Sequence, residues 1–116
     1  MSNLNAETPP TASLRPLAGI RIVEFQGIGP GPLAGFQLGL MGADVTLVAR
    51  PGAGALPAEL VAGDGNLLDP YKRRITLDLR TPAGRMLALD LAGASDGLIE
   101  GNRPGVVERL RLGSAD

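Results

Sequence analysis

The run Gly27-Ile28-Gly29-Pro30-Gly31-Pro32 packs three glycines and two prolines into six residues, between two segments of opposite periodicity. Before it, "GIRIVEFQ" (19–26) carries Ile20, Ile22, Val23 and Phe25, a short β-branched and aromatic stretch that predicts a buried strand ending at glycine. After it, Pro32 is tolerated in the first turn of a helix. Leu33, Phe36, Leu40 and Met41 then recur at helical spacing, and Gly42 can close the helix. A second strand, "ADVTLVAR" (43–50), stops at Arg50 before Pro51. The chain therefore opens its ordered part as β-α-β. That order makes a parallel strand pair with a right-handed crossover.

Residues 51–70 are rich in Gly and Pro and carry no sustained apolar period, which predicts a functional or mobile loop. In "RRITLDLR" (73–80), Ile75, Leu77 and Leu79 alternate with Thr76, Asp78 and Arg80, the pattern of a strand with one wetter face. Thr81 can cap a helix that starts at Pro82, with Leu87 and Leu91 on its apolar stripe up to Gly93. "DGLIEG" (96–101) reads as a further strand. "PGVVERLRLG" reads as a short helix from near Pro104 to Gly113. The order β-α-β-loop-β-α-β-α predicts an open, parallel α/β sheet. Ligands of such sheets lie at the carboxyl ends of the strands, here Gln26 to Gly31, Arg50, Arg80 and its neighbours, and Gly101 to Arg103.

Composition narrows the chemistry. Of 116 residues, 44% are hydrophobic but only two are Phe and one is Tyr, so stacking of bases on an aromatic platform is not expected. Formal charge is −1, so no global field steers the chain to nucleic acid or to acidic lipid. Cysteine is absent, which excludes disulfides and thiolate chemistry and suits the cytoplasm. Histidine is absent too, so acid–base work must use other groups or import them. Residues 1–16 are polar and contain Pro9-Pro10, which predicts a disordered leader and no signal peptide or membrane span.

The glycine run fails as a dinucleotide fingerprint. Gly27 and Gly29 fit the first two positions of G-x-G-x-x-G, but the third falls on Pro32, and the second strand ends in Arg50 where an acid would be expected. A helix N-terminus can still face an anion or a thioester oxygen, although Pro30 and Pro32 remove two N–H donors. A stiff, tight turn with no ligand explains the same residues. Arg50, the "YKRR" block at 71–74, Arg80 and Arg103 are placed by this reading along one sheet edge, where guanidinium forks suit phosphate oxygens. Solvated surface charge is the plainer alternative for any one of them. Glu24 and Glu100 stand near strand ends, Asp44 and Asp96 at strand starts, and no acid has a base partner visible by spacing. Met41 and Met86 are expected in the core.

Three blocks, "PLAGIRIVEFQGIGPGPLAGFQLGLMGADVTLVARPG", "KRRITLDLRTPAG" and "SDGLIEGNRPGVVERLRLG", together resemble the N-terminal region of the class III CoA-transferases, most closely the α-methylacyl-CoA racemase branch. The likeness covers residues 16–113. It implies a Rossmann-like sheet, over residues 17–116, that binds the CoA part of an acyl-CoA substrate with no further cofactor. It also implies an interlocked homodimer, or completion by a C-terminal segment. By position, Arg50, Arg73, Leu77 and Arg80 resemble residues that face adenine, ribose and phosphates. Gly101, Asn102, Arg103 and Arg109 resemble the pyrophosphate and pantetheine side, with Asn102 standing where an aromatic residue is common. Gly27, Ile28, Gly29, Pro30 and Gly31 would lie beside the thioester. The family's catalytic His and Asp have no counterpart in these residues, so the chain is expected to bind substrate as part of a longer enzyme and not to turn it over alone. A CoA-transferase working through an acyl-aspartate and a self-standing CoA-binding module are the alternatives.

Overall fold

A computed structural model describes residues 15–52 and 70–113, together with the backbone of two short segments, 61–62 and 65–66. Residues 1–14 of the predicted 1–16 leader and 53–69 of the predicted loop lie outside the described side chains.

Strand β1 (Arg21–Phe25) leads through the glycine run into helix α1 (Pro30–Leu40) and on to β2 (Asp44–Ala49). Two-residue strands β3 (Val61–Ala62) and β4 (Gly65–Asn66) pair antiparallel. There follow β5 (Lys72–Thr76), α2 (Pro82–Gly93), β6 (Gly97–Ile99) and α3 (Val106–Arg109). The main sheet has the order β5-β2-β1-β6 and is parallel throughout. The chain thus winds outward from β1 through β2 to β5, then returns to the far side of β1 for β6. That reversal creates a crevice at the carboxyl ends of β1 and β6, as in the first half of a Rossmann sheet.

Alternation along the strands assigns the two faces. Val23, Phe25 and Val48 form one core with Ala88 of α2, Val107 and Leu112, flanked by Ile75, Leu77 and Leu79. Ile22, Val45 and Ala43 form the other, under α1, with Leu17, Leu38 and Ile99 against it. Sequence alternation in 73–80 therefore had the faces right, although β5 begins one residue earlier and its ladder ends at Thr76. Thr81 caps α2 as predicted: its Oγ1 accepts a hydrogen bond from Gly84 N at 3.0 Å, with Pro82 in the first turn. Gly42 (φ +104°) turns the chain out of α1. The last helix is shorter than predicted and opens at Gly105 (φ +89°).

Helix α1 departs most from expectation. Pro32, Gly35 and Gly39 face the sheet, while Leu33, Leu40 and Met41 are exposed. Met86 (64% exposed) and Leu87 are likewise on the outer side of α2. For α1 the physical reason is a buried ion pair that occupies the space where its leucines would interdigitate. Glu24 on β1 is fully buried, and Lys72 at the start of β5 reaches over β2 to it. Among the described residues no helix is long and apolar enough to cross a membrane.

Candidate functional site

A cleft of about 340 Å³ lies at the carboxyl edge of the sheet, lined by the last residues of β1 and β2, the turn after β5, and the start of the segment after β6. Its wall is apolar: Phe25, Val48, Leu79, Val106 and Leu110. Its rim is polar: Gln26, Arg50, Asp78, Arg80 and Asn102. This is where an open parallel sheet takes a ligand.

Each polar rim residue is set by the chain around it. β1 and β2 end side by side, and Gln26 N donates to Val48 O at 2.9 Å. The Gln26 side chain then accepts from Arg50 N at 2.8 Å, and its backbone carbonyl lies 3.5 Å from Arg50 Nη2. Arg50 is thereby held at the mouth of the cleft. Beyond β5, the Asp78 carboxylate accepts from both the backbone N (3.0 Å) and Nε (3.2 Å) of Arg80. The side-chain and then the backbone hydrogen bond from Arg80 hold the Asp78 carboxyl below the usual carboxylate range, outweighing desolvation, and the Arg80 charge adds to them. Asp78 O also accepts from Thr81 Oγ1 at 2.8 Å, so one residue fixes both the turn and the α2 cap. A Cβ at Gly84 would overlap that same carbonyl, which is why glycine stands in the first turn of α2. On the third side, Glu100 Oε2 accepts from Asn102 N at 2.9 Å and shapes the turn that presents Asn102.

Of the residues singled out from sequence, the structure brings Arg50, Arg80 and Asn102 to one cleft. Leu77 sits just beneath, half-buried on the core, its N–H bonded to Ala49 O at 3.0 Å. Gly101 and Arg103 are exposed in the turn beside Asn102, and Arg109 is exposed at the end of α3. Gly27, Ile28, Gly29, Pro30 and Gly31 follow Gln26 at the same edge without lining the cleft, with Ile28 77% exposed. Gly29 (φ +83°) makes the bend into α1, a conformation costly for any L side chain. The "YKRR" block does not share this edge. Arg73 pairs with Asp44 across 3.1 Å at the amino end of the sheet, and Lys72 is buried under α1. Strand alternation sends neighbouring side chains to opposite faces, which a reading by cluster overlooks. Gln26, Asp78 and Glu100, the residues that fix the rim, were missed as site residues. For Asp78 the signal was present, an acid two residues before Arg80 at a predicted strand end. For Gln26 the signal was its place at the end of the first strand, where ligands were expected.

Chemically, two guanidinium groups above an apolar wall suit a phosphorylated ligand with a flat heteroaromatic part. Proton transfer is poorly served, because Asp78 is held as a weak base and Glu24 is tied to Lys72. Among the described residues no three His, Cys, Asp or Glu side chains are grouped to hold a metal ion.

The fold is shared with known proteins. Human α-methylacyl-CoA racemase is 39% identical over 97 residues, covering 84% of this chain and 23% of the racemase. Formyl-CoA:oxalate CoA-transferase of Bradyrhizobium diazoefficiens is 35% identical over 101 residues, covering 81% and 24%. The crystal structure of a hypothetical protein from Mycobacterium tuberculosis superposes with a TM-score of 0.76 at 35% identity, over 88% of this chain and 29% of the other. The chain spans about a quarter of the length of these curated relatives. Residues 17–116 match the sequence model of CoA-transferase family III, and the protein belongs to that family.

Proposed function

We propose that this chain is the CoA-binding N-terminal part of an acyl-CoA-processing enzyme, a racemase of 2-methylacyl-CoA thioesters. The observation that carries the reading is the convergence of Arg50, Arg80 and Asn102 on an apolar-walled cleft at the carboxyl edge of the sheet. In this reading the two guanidinium groups take CoA phosphates, and the adenine lies against the wall formed by Phe25, Val48 and Leu79. Gly101, Arg103 and Arg109 flank the pantetheine, and the Gly27–Gly31 turn stands at the thioester end. Arg73, at the other end of the sheet, has no part in the cleft.

Racemisation needs a base to remove the proton α to the thioester carbonyl and an acid to return one to the opposite face of the enolate, both with pKa values near the working pH. Among the described residues, the one carboxylate that lines the cleft, Asp78, is held below the usual carboxylate range. The proton-transfer pair then belongs to the remainder of a family-length protein, and this chain contributes binding and orientation. Transfer of CoA between carboxylic acids is the second reading, favoured by the 35% identity to formyl-CoA:oxalate CoA-transferase.

Calorimetry with free coenzyme A tests the binding claim. A charge-assisted hydrogen bond contributes about 1.5–3 kcal/mol, so Arg50→Ala and Arg80→Ala should each weaken binding by roughly tenfold to a hundredfold. Binding that neither substitution changes would refute it. A family-length protein then separates the two chemistries: α-proton exchange of 2-methylacyl-CoA in deuterated water supports the racemase, and an acyl-enzyme formed from the acyl-CoA with release of CoA, followed by appearance of CoA on an added carboxylate, supports the transferase.

A further inference from the structure

The interior holds one polar device that CoA binding does not use. Lys72 Nζ lies 2.9 Å from Glu24 Oε1, 3.1 Å from Glu24 Oε2 and 3.1 Å from the carbonyl oxygen of Pro32, and both side chains are 1% exposed. The ammonium thus joins three elements: its own strand β5, the far strand β1, and the first turn of α1. The fully buried residues of α1 are Pro32, Gly35 and Gly39, and Leu38 packs partly buried against the core of Ile22, Ala43 and Val45. Two of the three buried residues have no side chain to interdigitate, so apolar packing rests on Pro32 and Leu38 and leaves the height and rotation of α1 weakly defined. Its sequence, PGPLAGFQLGL, carries no charge and is apolar nearly all round, which gives no second preference for one face. A Cβ at Gly35 would overlap Glu24 Oε1 and approach Lys72 Cε to 3.2 Å, so the pair fills the place of the missing knob. Buried ion pairs rarely add net stability over apolar residues of the same volume, and their best-attested use is to select one arrangement among several.

We infer that Glu24 and Lys72 are positioning residues, whose hydrogen bond to the Pro32 carbonyl fixes the register of α1 and with it the Gly27–Gly31 turn. Glu24 lies three residues before Gly27, and Pro32 one residue after Gly31, so both ends of the turn are tied to the same ammonium. The part of this inference that concerns the acyl group rests on the proposed CoA-thioester reading; the part that concerns the turn does not.

The test is the double variant Glu24→Leu/Lys72→Met in the full chain, with Glu24→Gln/Lys72→Met as a second variant that also removes the bond to Pro32 O if the first does not fold. Backbone amide resonances of Gly27, Gly29 and Gly31 are recorded, and affinities for free CoA and a 2-methylacyl-CoA are compared. Expected are a folded protein, unchanged affinity for free CoA, multiple or broadened resonances for the three glycines, and loss of discrimination between the thioester and free CoA. Single sharp glycine resonances at their original positions would overturn the inference, leaving the pair as core filling. If free CoA fails to bind even the unaltered chain, the functional reading falls, while the glycine resonances still decide the role of the pair.

Discussion

Replacing Gly35 by alanine tests the closeness of α1 to the sheet. Alanine is the better helix former by about 1 kcal/mol, so on propensity alone the substitution should stabilise. Here the added methyl would occupy the position of Glu24 Oε1, with Glu24 Cδ 2.9 Å and Lys72 Cε 3.2 Å away. None of these atoms is the free end of a mobile side chain, because all belong to the buried pair. Overpacking of a filled core costs about 1–3 kcal/mol. Moving α1 outward to relieve it stretches the Lys72 bond to Pro32 O, a charge-assisted contact contributing about 1.5–3 kcal/mol. These are alternative responses to one clash, so set against the helix gain the net expectation is a loss of up to about 2 kcal/mol, or up to roughly 8 °C in Tm for a chain of this size. Gly93→Ala is the control, since a Cβ there meets nothing within 4 Å, and it should be neutral or stabilise by up to about 1 kcal/mol. Urea denaturation followed by far-UV circular dichroism compares the two. Should Gly35→Ala stabilise the chain as Gly93→Ala does, the helix does not rest on the ion pair and the account of α1 is wrong.

Asp78 titrates below an ordinary carboxylate, so the stability it lends the Arg80 turn is present above the unfolded-state value and is lost only as pH falls through the lower folded-state value. Carboxyl resonances should show the Asp78 midpoint beneath those of solvated acids, and Arg80→Ala should return it to the ordinary range; a midpoint equal to theirs in the unaltered chain contradicts the geometry. Gln26→Ala removes the acceptor for Arg50 N and should destabilise by about 1 kcal/mol while weakening coenzyme A binding several-fold. Equal affinity would show that Arg50 orients itself. Leu33, Leu40, Met86 and Leu87 present exposed apolar surface, so scattering should reveal self-association that rises with concentration. Leu33→Glu with Leu40→Glu should reduce it, and a strict monomer at every concentration would contradict the expectation.

Much of the fold was legible because its signals are local. The β-branched run before Gly27, the stop at Arg50-Pro51 and the Thr81-Pro82 cap each depend on neighbours a few residues apart, and each stands where it was expected. Strand-end logic also located Arg50, Arg80 and Asn102, since the carboxyl edge follows from topology alone. What could not be read is long-range. Glu24 and Lys72 are 48 residues apart, and only the pairing of β1 and β5 with β2 brings them together. Without that pair, apolar periodicity in α1 points to Leu33, Phe36 and Leu40 as the inner face, and the true inner face is made of the residues with least side chain. Arg73 shows the same limit in reverse. It neighbours Lys72 in sequence and faces the opposite side of the sheet, where Asp44 claims it.

The chain contains ten arginines and a single lysine, and the lysine is Lys72. An open cleft favours guanidinium: it stays ionised and its fork matches phosphate oxygens, and Arg50 and Arg80 stand there on exposed backbone with their orientation set by Gln26 and Asp78. The site under α1 demands the reverse. Its three acceptors, two carboxylate oxygens and the Pro32 carbonyl, converge within 3.1 Å of one nitrogen, which suits a compact ammonium on a thin stem. A planar fork would need the helix to rise, and the glycine at position 35 leaves it no lateral room, since that space already holds the Glu24 carboxylate. Lys72→Arg, conservative in charge, should therefore disturb α1 as Gly35→Ala does. The choice of cation at each site follows from how much water each one keeps.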